Sequence, residues 1–243
     1  GGVVCAMGGN SFRFKRFAVR QERSAMKVGT DGVLLGAWAS VAEPCRRILD
    51  IGTGTGVVAL MLAERTEEWG ATVTGIDIDA QSAAEAADNF SLSPWSDRLA
   101  AVCCPVQEFS DVPFDLIVSN PPFFVDSLLP PKASRSAARH NVSLSFDELL
   151  HASARLLAPE GRLAVVLPCT SALDFIAVAA REELFVLRRT DVRSVEGELP
   201  KRALLEFSAR PCATVRSELS VCDARREYTA EYKALTGQFY LNF

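Results

Sequence analysis

Short runs of branched apolar residues alternate along this chain with longer stretches in which apolar positions recur every three or four residues. The runs Arg47–Ile51, Ala71–Ile76, Leu99–Cys104, Phe114–Ser119, Gly161–Leu167, Leu184–Val192 and Arg202–Ser208 predict strands. The spacing predicts helices over Asp31–Ala42, Val57–Arg65, Ala80–Phe90, Phe146–Leu157 and Ser171–Glu182, the first capped by Thr30-Asp31. Strands that read as unbroken apolar runs are covered on both faces. The alternation therefore predicts an α/β, doubly wound, Rossmann-like sheet, mostly parallel, with helices on both sides. Ahead of it, Phe12 to Val28 reads as an irregular or hairpin-like basic segment. The chain closes with a short strand, Glu218–Val221, and a helical stretch over Tyr228–Thr236 whose tyrosines are expected to pack. No repeat, low-complexity tract or long linker interrupts the pattern. One domain over residues 1–243 is expected, with residues 1–30 as a basic extension packed on it.

Composition narrows the picture modestly. With 243 residues, 49% hydrophobic and 23% charged, the chain has ample material for a sizeable core. Its longest apolar run, Val57 to Ala63, is far short of the ~20 residues that cross a bilayer. No membrane span is expected, and no secretion signal is visible after Gly1-Gly2, which resembles a tag remnant. Seven cysteines without a Cys-x-x-Cys pair read as free thiols, so a cytoplasmic location is expected. His140 and His151 are the two imidazoles, poor material for a metal site, and none is expected. A net charge of −4 argues against non-specific nucleic-acid binding. Basic residues nevertheless cluster at Arg13, Lys15, Arg16, Arg20, Arg23 and Lys27, at Lys132, Arg135, Arg139 and His140, and at Lys201-Arg202. Each cluster alone also suits a solvated face; together they could track a phosphate backbone.

Two strand ends carry chemistry. Arg47-Ile48-Leu49-Asp50-Ile51 runs into Gly52-Thr53-Gly54-Thr55-Gly56, where glycines allow a sharp turn and close approach of a ligand. Such loops also serve dinucleotides, so the neighbouring charge decides. Asp50 would repel a pyrophosphate but suits the amino group and sulfonium of S-adenosyl-L-methionine. Asp77 stands 25 positions after Gly52, near the ~20-residue separation of a ribose-binding acid. Asp79 is the better helix cap ahead of Ala80, and Gln107 could read the cofactor's adenine edge. In doubly wound sheets the crevice lies beyond the carboxyl strand ends, where Asp50, Asp77 and Asn120 all fall.

The second strand end is Asn120-Pro121-Pro122-Phe123-Phe124. An exocyclic aromatic amine is a weak nucleophile because its lone pair is delocalised into the ring. The Asn120 side-chain oxygen and the Pro121 carbonyl can accept its two N–H bonds, while the Pro121-Pro122 rings limit the backbone. Phe123 offers a stacking face for a base that is flipped out or unpaired. Asn-Pro is also a common turn starter, and its pairing with the glycine loop is what separates the two meanings.

These residues resemble the class I S-adenosylmethionine-dependent methyltransferases, and within them the tRNA(Val) adenine N6-methyltransferase family. The resemblance extends over nearly the whole chain. It is carried by Phe12-Arg13-Phe14-Lys15-Arg16-Phe17, Ala25 to Trp38, Asp50 to Gly56, Ser93-Pro94-Trp95, Asn120 to Phe124, Ala138-Arg139-His140, Pro200-Lys201-Arg202 and Phe239 to Phe243. It implies a seven-stranded sheet with an antiparallel last strand, and methylation of the adenine 3′ of the anticodon of a valine tRNA. It also implies that Thr30 and Asp31 border the cofactor. Catalytic candidates are then Asn120, Pro121, Pro122 and Phe123. Cofactor candidates are Thr30, Asp31, Asp50, Gly52, Thr53, Gly54, Gly56, Asp77, Gln107 and Asn120. Candidate contacts to the tRNA are Lys15, Arg16, Lys27, Phe124, Arg139, His140, Lys201 and Arg202, and the protein is expected to be a monomer. Phe123, where many adenine N6-methyltransferases have Tyr, keeps an N2-guanine ribosomal RNA methyltransferase open. A glutamine N5-methyltransferase acting on a protein is the other alternative. Gln107 stands where many relatives use an acid.

Overall fold

Residues alternate in direction along each strand, and here the two sets of side chains enter two separate apolar layers. The computed structural model describes residues 6–7, 10–42, 44–120 and 144–243. Its main sheet is built from β4 (Arg47–Ile51), β5 (Thr72–Asp77), β6 (Leu99–Cys103), β7 (Phe114–Ser119), β8 (Leu157–Pro168), β9 (Phe185–Val195), β10 (Arg202–Ser208) and β11 (Val215–Cys222). Ile48, Leu116, Val118, Ala164, Val166 and Leu204 enter one layer. Their neighbours Leu49, Ile117, Leu163, Val165, Leu167, Ala203 and Leu205 enter the other. The helices α1 (Thr30–Trp38), α2 (Val57–Arg65), α3 (Ala80–Ser91) and α6 (Ala230–Thr236) cover the first layer. The second lies under α4 (Phe146–Leu156) and α5 (Cys169–Arg181).

The eight strands lie in the order β11-β9-β10-β8-β7-β4-β5-β6. From β4 the chain moves outward through β5 to β6, then returns to place β7 on the other side of β4. Strand order reverses there, which opens a crevice at the carboxyl ends of β4 and β7. The seventh strand of the sheet, β10, is antiparallel to both β8 and β9. The sheet has one strand more than the resemblance implies, because β11 adds to its edge parallel to β9.

Several boundaries differ from the sequence pattern by one to three residues, such as β9, which runs on to Val195, and β11, which starts at Val215; the larger departures have local reasons. Helix α1 ends at Trp38, well before Ala42, because the Arg65 guanidinium takes the carbonyls of Gly36 and Ala39 at 2.8 and 2.7 Å. Thr30 and Asp31 do not cap it; the extended Gly29 is the N-cap and both residues lie in the first turn. Strand β8 begins at Leu157, paired with Phe114, and a bulge follows at which a Cβ on Gly161 would lie 2.8 Å from the Phe114 carbonyl.

The basic leading segment forms an antiparallel sheet of β1 (Ala6–Met7), β2 (Ser11–Arg13) and β3 (Ala18–Arg20). Phe12, Phe14 and Phe17 join the first apolar layer, and Phe14 stacks on Tyr240 near the far end of the chain. The Lys15 amide donates to the Phe239 carbonyl at 2.9 Å.

Candidate active site

The glycine loop between β4 and α2 is built by three residues at positive φ, Gly52 at 71°, Gly54 at 56° and Gly56 at 87°. Gly56 has no room for a side chain, since a Cβ would sit 2.5 Å from Phe90 Cε1. Gly54 differs: nothing lies within 4 Å of its Cβ position, so the loop presents bare backbone to open space. The amides of Gly52 and Thr53 both donate to the Ile76 carbonyl at 2.9 Å, which ties the loop to β5.

Asp77 ends β5 beside this loop. One of its oxygens accepts the Gly54 amide at 2.9 Å and the other the Asp79 amide at 2.9 Å. Burial raises its pKa, and those two amides oppose the rise. Each carboxylate oxygen still has a lone pair for a further donor. Asp79 caps α3 by accepting from Ser82. The crevice beyond these ends is lined by Ile51, Gly52, Gly54, Ile76, Asp77, Ile78 and Ser82 on one side. Cys104, Pro105, Val106, Gln107, Leu144 and Glu148 continue it, and Ala25 and Met26 of the leading segment border it.

Asp50 lies behind the loop and is absent from this lining. It is 2% exposed, and the Thr53 hydroxyl donates to it at 2.8 Å. Thr53 in turn occupies the space over Gly75, where a Cβ would meet its Oγ1 at 2.5 Å. Burial pushes the Asp50 carboxyl up to about 7; the Thr53 hydroxyl opposes this, the Asp77 charge adds to it and the Ala59 amide opposes it. Asp50 thus meets the loop from behind through Thr53 and does not line the space itself.

Asn120 follows directly on β7, where Ile51 and Ser119 are paired and the Ser119 hydroxyl donates to the Ile51 carbonyl at 2.8 Å. It therefore stands beside the start of the glycine loop. A Cβ on Gly32 would lie 3.4 Å from Asn120 Nδ2 and 3.6 Å from Val57, which places the amide between the first turns of α1 and α2. Pro121, Pro122, Phe123, Phe124, Arg139 and His140 lie outside the described residues.

The basic candidates separate. Lys15 Nζ donates to the Gly237 carbonyl at 2.6 Å. Arg16 forms a two-pronged pair with Glu67 at 2.7 and 2.9 Å and lies over the Trp95 ring. Both are engaged within the fold. Arg202 pairs with Asp31 at 2.9 Å, joining a candidate tRNA contact to a candidate cofactor residue at the start of α1. Thr30, Lys27 and Lys201 are exposed. Ala25 and Met26 carried the family resemblance but were not among the cofactor candidates, and sequence pattern did not single out Ser82, Glu148 or Ile78. Ile78 carries a readable signal, an apolar residue between Asp77 and Asp79 just past a strand end, and it remains 43% exposed beside the crevice.

The crevice has the shape and chemistry for an adenosine-containing ligand with a positive charge. Ile78, Pro105 and Val106 supply apolar walls, Asp77 presents carboxylate acceptors, and Gly54 clears space for close approach. Among the described residues no group of His, Cys, Asp or Glu is placed to hold a metal, and no helix is long and apolar enough to cross a membrane.

Solved structures share this architecture. A crystal structure of a predicted O-methyltransferase from Agrobacterium tumefaciens superposes with a TM-score of 0.66 at 18% identity, covering 86% of this chain and 96% of that one. The Thermus thermophilus 16S rRNA N2 G1207 methyltransferase, solved with AdoMet and guanosine, gives 0.55 at 22% identity over 82% of this chain and 50% of that one. The sheet order, the glycine loop and the Asp77 crevice define a class I methyltransferase fold. The methyltransferase small domain model matches residues 33–174. The tRNA1(Val) (adenine(37)-N6)-methyltransferase of Bacteroides thetaiotaomicron is 47% identical over 95% of this chain and 97% of its own length. That of Trichodesmium erythraeum is 42% identical over 98% and 100%. The chain belongs to the tRNA1(Val) (adenine(37)-N6)-methyltransferase family.

Proposed function

We propose that this protein transfers a methyl group from S-adenosyl-L-methionine to N6 of adenine 37 in a valine tRNA, the activity named for its relatives. The observation that carries this reading is the adjacency of two strand ends. The glycine loop follows β4 and Asn120 follows β7, its immediate neighbour in the sheet. The cofactor supplies an electrophilic methyl on a sulfonium. Asp77 would accept from its ribose, Ile78 and Val106 would flank its adenine, and Gln107 would meet the adenine edge. Asp50 holds the loop through Thr53 and offsets the positive charge.

The Asn120 side-chain oxygen and the Pro121 carbonyl accept the two N–H bonds of the target amine. This draws the nitrogen toward tetrahedral geometry and frees its lone pair from the ring. Phe123 stacks on the base, which is removed from the anticodon-loop stack. No base has to remove a proton before transfer, because the methylated nitrogen becomes acidic afterwards and loses its proton to water. Lys201 and Arg202, with Arg139 and His140, contact the RNA backbone. The protein acts as a cytoplasmic monomer, with residues 1–30 part of a single methyltransferase domain.

The test is direct. Protein is incubated with labelled S-adenosylmethionine and total tRNA from a strain lacking it, and the modified nucleoside is identified by mass spectrometry. The expected product is N6-methyladenosine at position 37 of a valine tRNA. Label appearing in N2-methylguanosine or in protein glutamine would overturn the assignment.

A further inference from the structure

Helix α3 carries two buried polar residues one turn apart, and both face the leading segment. Glu85 is 1% exposed, and its carboxylate accepts three consecutive backbone amides, Glu22 at 3.0 Å, Arg23 at 2.9 Å and Ser24 at 3.0 Å. Ala25 and Met26, the next two residues, border the crevice. Asn89, also 1% exposed, accepts the Arg20 amide at 2.9 Å and donates to the Arg20 carbonyl at 3.0 Å. The same side-chain nitrogen donates to the Thr55 carbonyl, within the glycine loop, at 2.8 Å. One helix face thus holds both the segment that leads into Ala25 and Met26 and the glycine loop.

A buried carboxylate is a costly way to hold a loop. Apolar packing of similar volume is often as stabilising or more so, whereas a carboxylate on several amides fixes one backbone geometry. We infer that Glu85 is a positioning residue for the methyl-donor site, holding Glu22 to Ser24 so that Ala25 and Met26 close one side of the crevice, with Asn89 setting that wall in register with the glycine loop. The inference rests on the crevice's taking S-adenosylmethionine.

Glu85→Gln tests it, since the side chain keeps its volume but turns an NH2 group toward amides that need an acceptor. Binding of S-adenosylhomocysteine is measured by calorimetry, and kcat and KM are measured with the donor varied. The expected result is a Kd and a donor KM raised about tenfold to hundredfold, the scale of a lost charge-assisted hydrogen bond. At saturating donor kcat should fall by less than about threefold, since the reacting centre keeps its own groups. Unchanged Kd in Glu85→Gln, or kcat falling in step with no change in KM, overturns the inference. Failure of the wild-type protein to bind overturns the proposed function and this inference together. Should Glu85→Gln not fold, amide hydrogen exchange on the wild-type protein decides. Greater protection of Glu22 to Ser24 on adding S-adenosylhomocysteine supports the role, and unchanged protection there rejects it.

Discussion

Asp50 and Asp77 end adjacent strands, yet the fold buries the first behind the glycine loop and leaves the second lining the crevice. Asp77 keeps an open side toward the crevice while two amides hold its carboxylate. Asp77→Ala should therefore raise the Kd for S-adenosylhomocysteine at least about tenfold, the loss of one or two hydrogen bonds to a charged group. Asn120→Ala should leave that Kd within about threefold and lower kcat by about two to three orders of magnitude, as when an acceptor aimed at the transition state is removed. Equal losses of binding and turnover in Asn120→Ala would remove it from the chemistry. Asp50 instead makes binding depend on pH. Burial, countered by Thr53 and reinforced by Asp77, raises its pKa to about 7, so the unliganded fold is stabilised by the neutral form and loses that contribution as pH rises through about 7. A cation in the crevice favours the ionised form, so binding it should release a proton. Affinity for S-adenosylmethionine should then rise as pH climbs through about 7, more steeply than affinity for S-adenosylhomocysteine, which lacks the sulfonium. Asp50→Asn should make the two pH profiles parallel, and parallel profiles in the wild type would detach Asp50 from the ligand's charge.

The elements around the site were mostly legible because local pattern and burial agree. Strands β4, β7 and β10 and helix α2 match their apolar runs residue for residue. The errors came from contacts distant in sequence: Arg65 reaches back to end α1, and Phe114 pairs with Leu157 to start β8 early. Asp50 and Asn120 could be placed at strand ends from sequence, but the inward turn of Asp50 depends on Gly75 making room for Thr53 on the neighbouring strand. The grip of Glu85 on three amides had no signal, since a glutamate in an amphipathic helix ordinarily reads as solvent-facing. Such packing can be tested at the loop-to-helix junction. At Gly56, φ is 87° and a Cβ would strike the buried Phe90 ring at 2.5 Å. Gly56→Ala combines a left-handed backbone with overpacking, each costing about 1–3 kcal/mol. Thermal unfolding should show Tm lowered by about 4 °C or more, from the ~2–4 °C per kcal/mol typical of this size. An unchanged Tm would mean that the loop and α3 are not packed as described.

Across the whole molecule, a net charge of −4 opposes an RNA partner, so tRNA affinity must come from local basic residues that the fold leaves free. The leading segment looked like the strongest such cluster in sequence, but its fold uses much of that charge internally. Lys15 holds the Gly237 carbonyl, Arg16 is paired with Glu67 and stacked on Trp95, and Arg23 is paired with Asp88. The Glu67 carboxyl, hydrogen-bonded by Arg16 and then by Trp95, has its pKa held down to about 2, so that pair stays charged at any pH relevant to RNA binding. Lys201 is placed differently. It precedes β10, whose first residue is paired with Pro168 at the carboxyl end of β8, so it stands on the rim that holds the crevice. It is exposed, and among the described residues no carboxylate meets its ammonium. Lys201→Ala should therefore weaken tRNA binding and reduce the slope of log affinity against log salt by about one, the signature of one phosphate contact. Arg16→Ala should leave both within error, its cost limited to the ~0–1 kcal/mol of an exposed ion pair. A filter-binding titration over a salt series separates the two variants. If Arg16→Ala flattens the slope and Lys201→Ala does not, the RNA lies against the leading hairpin and not across the carboxyl rim of the sheet.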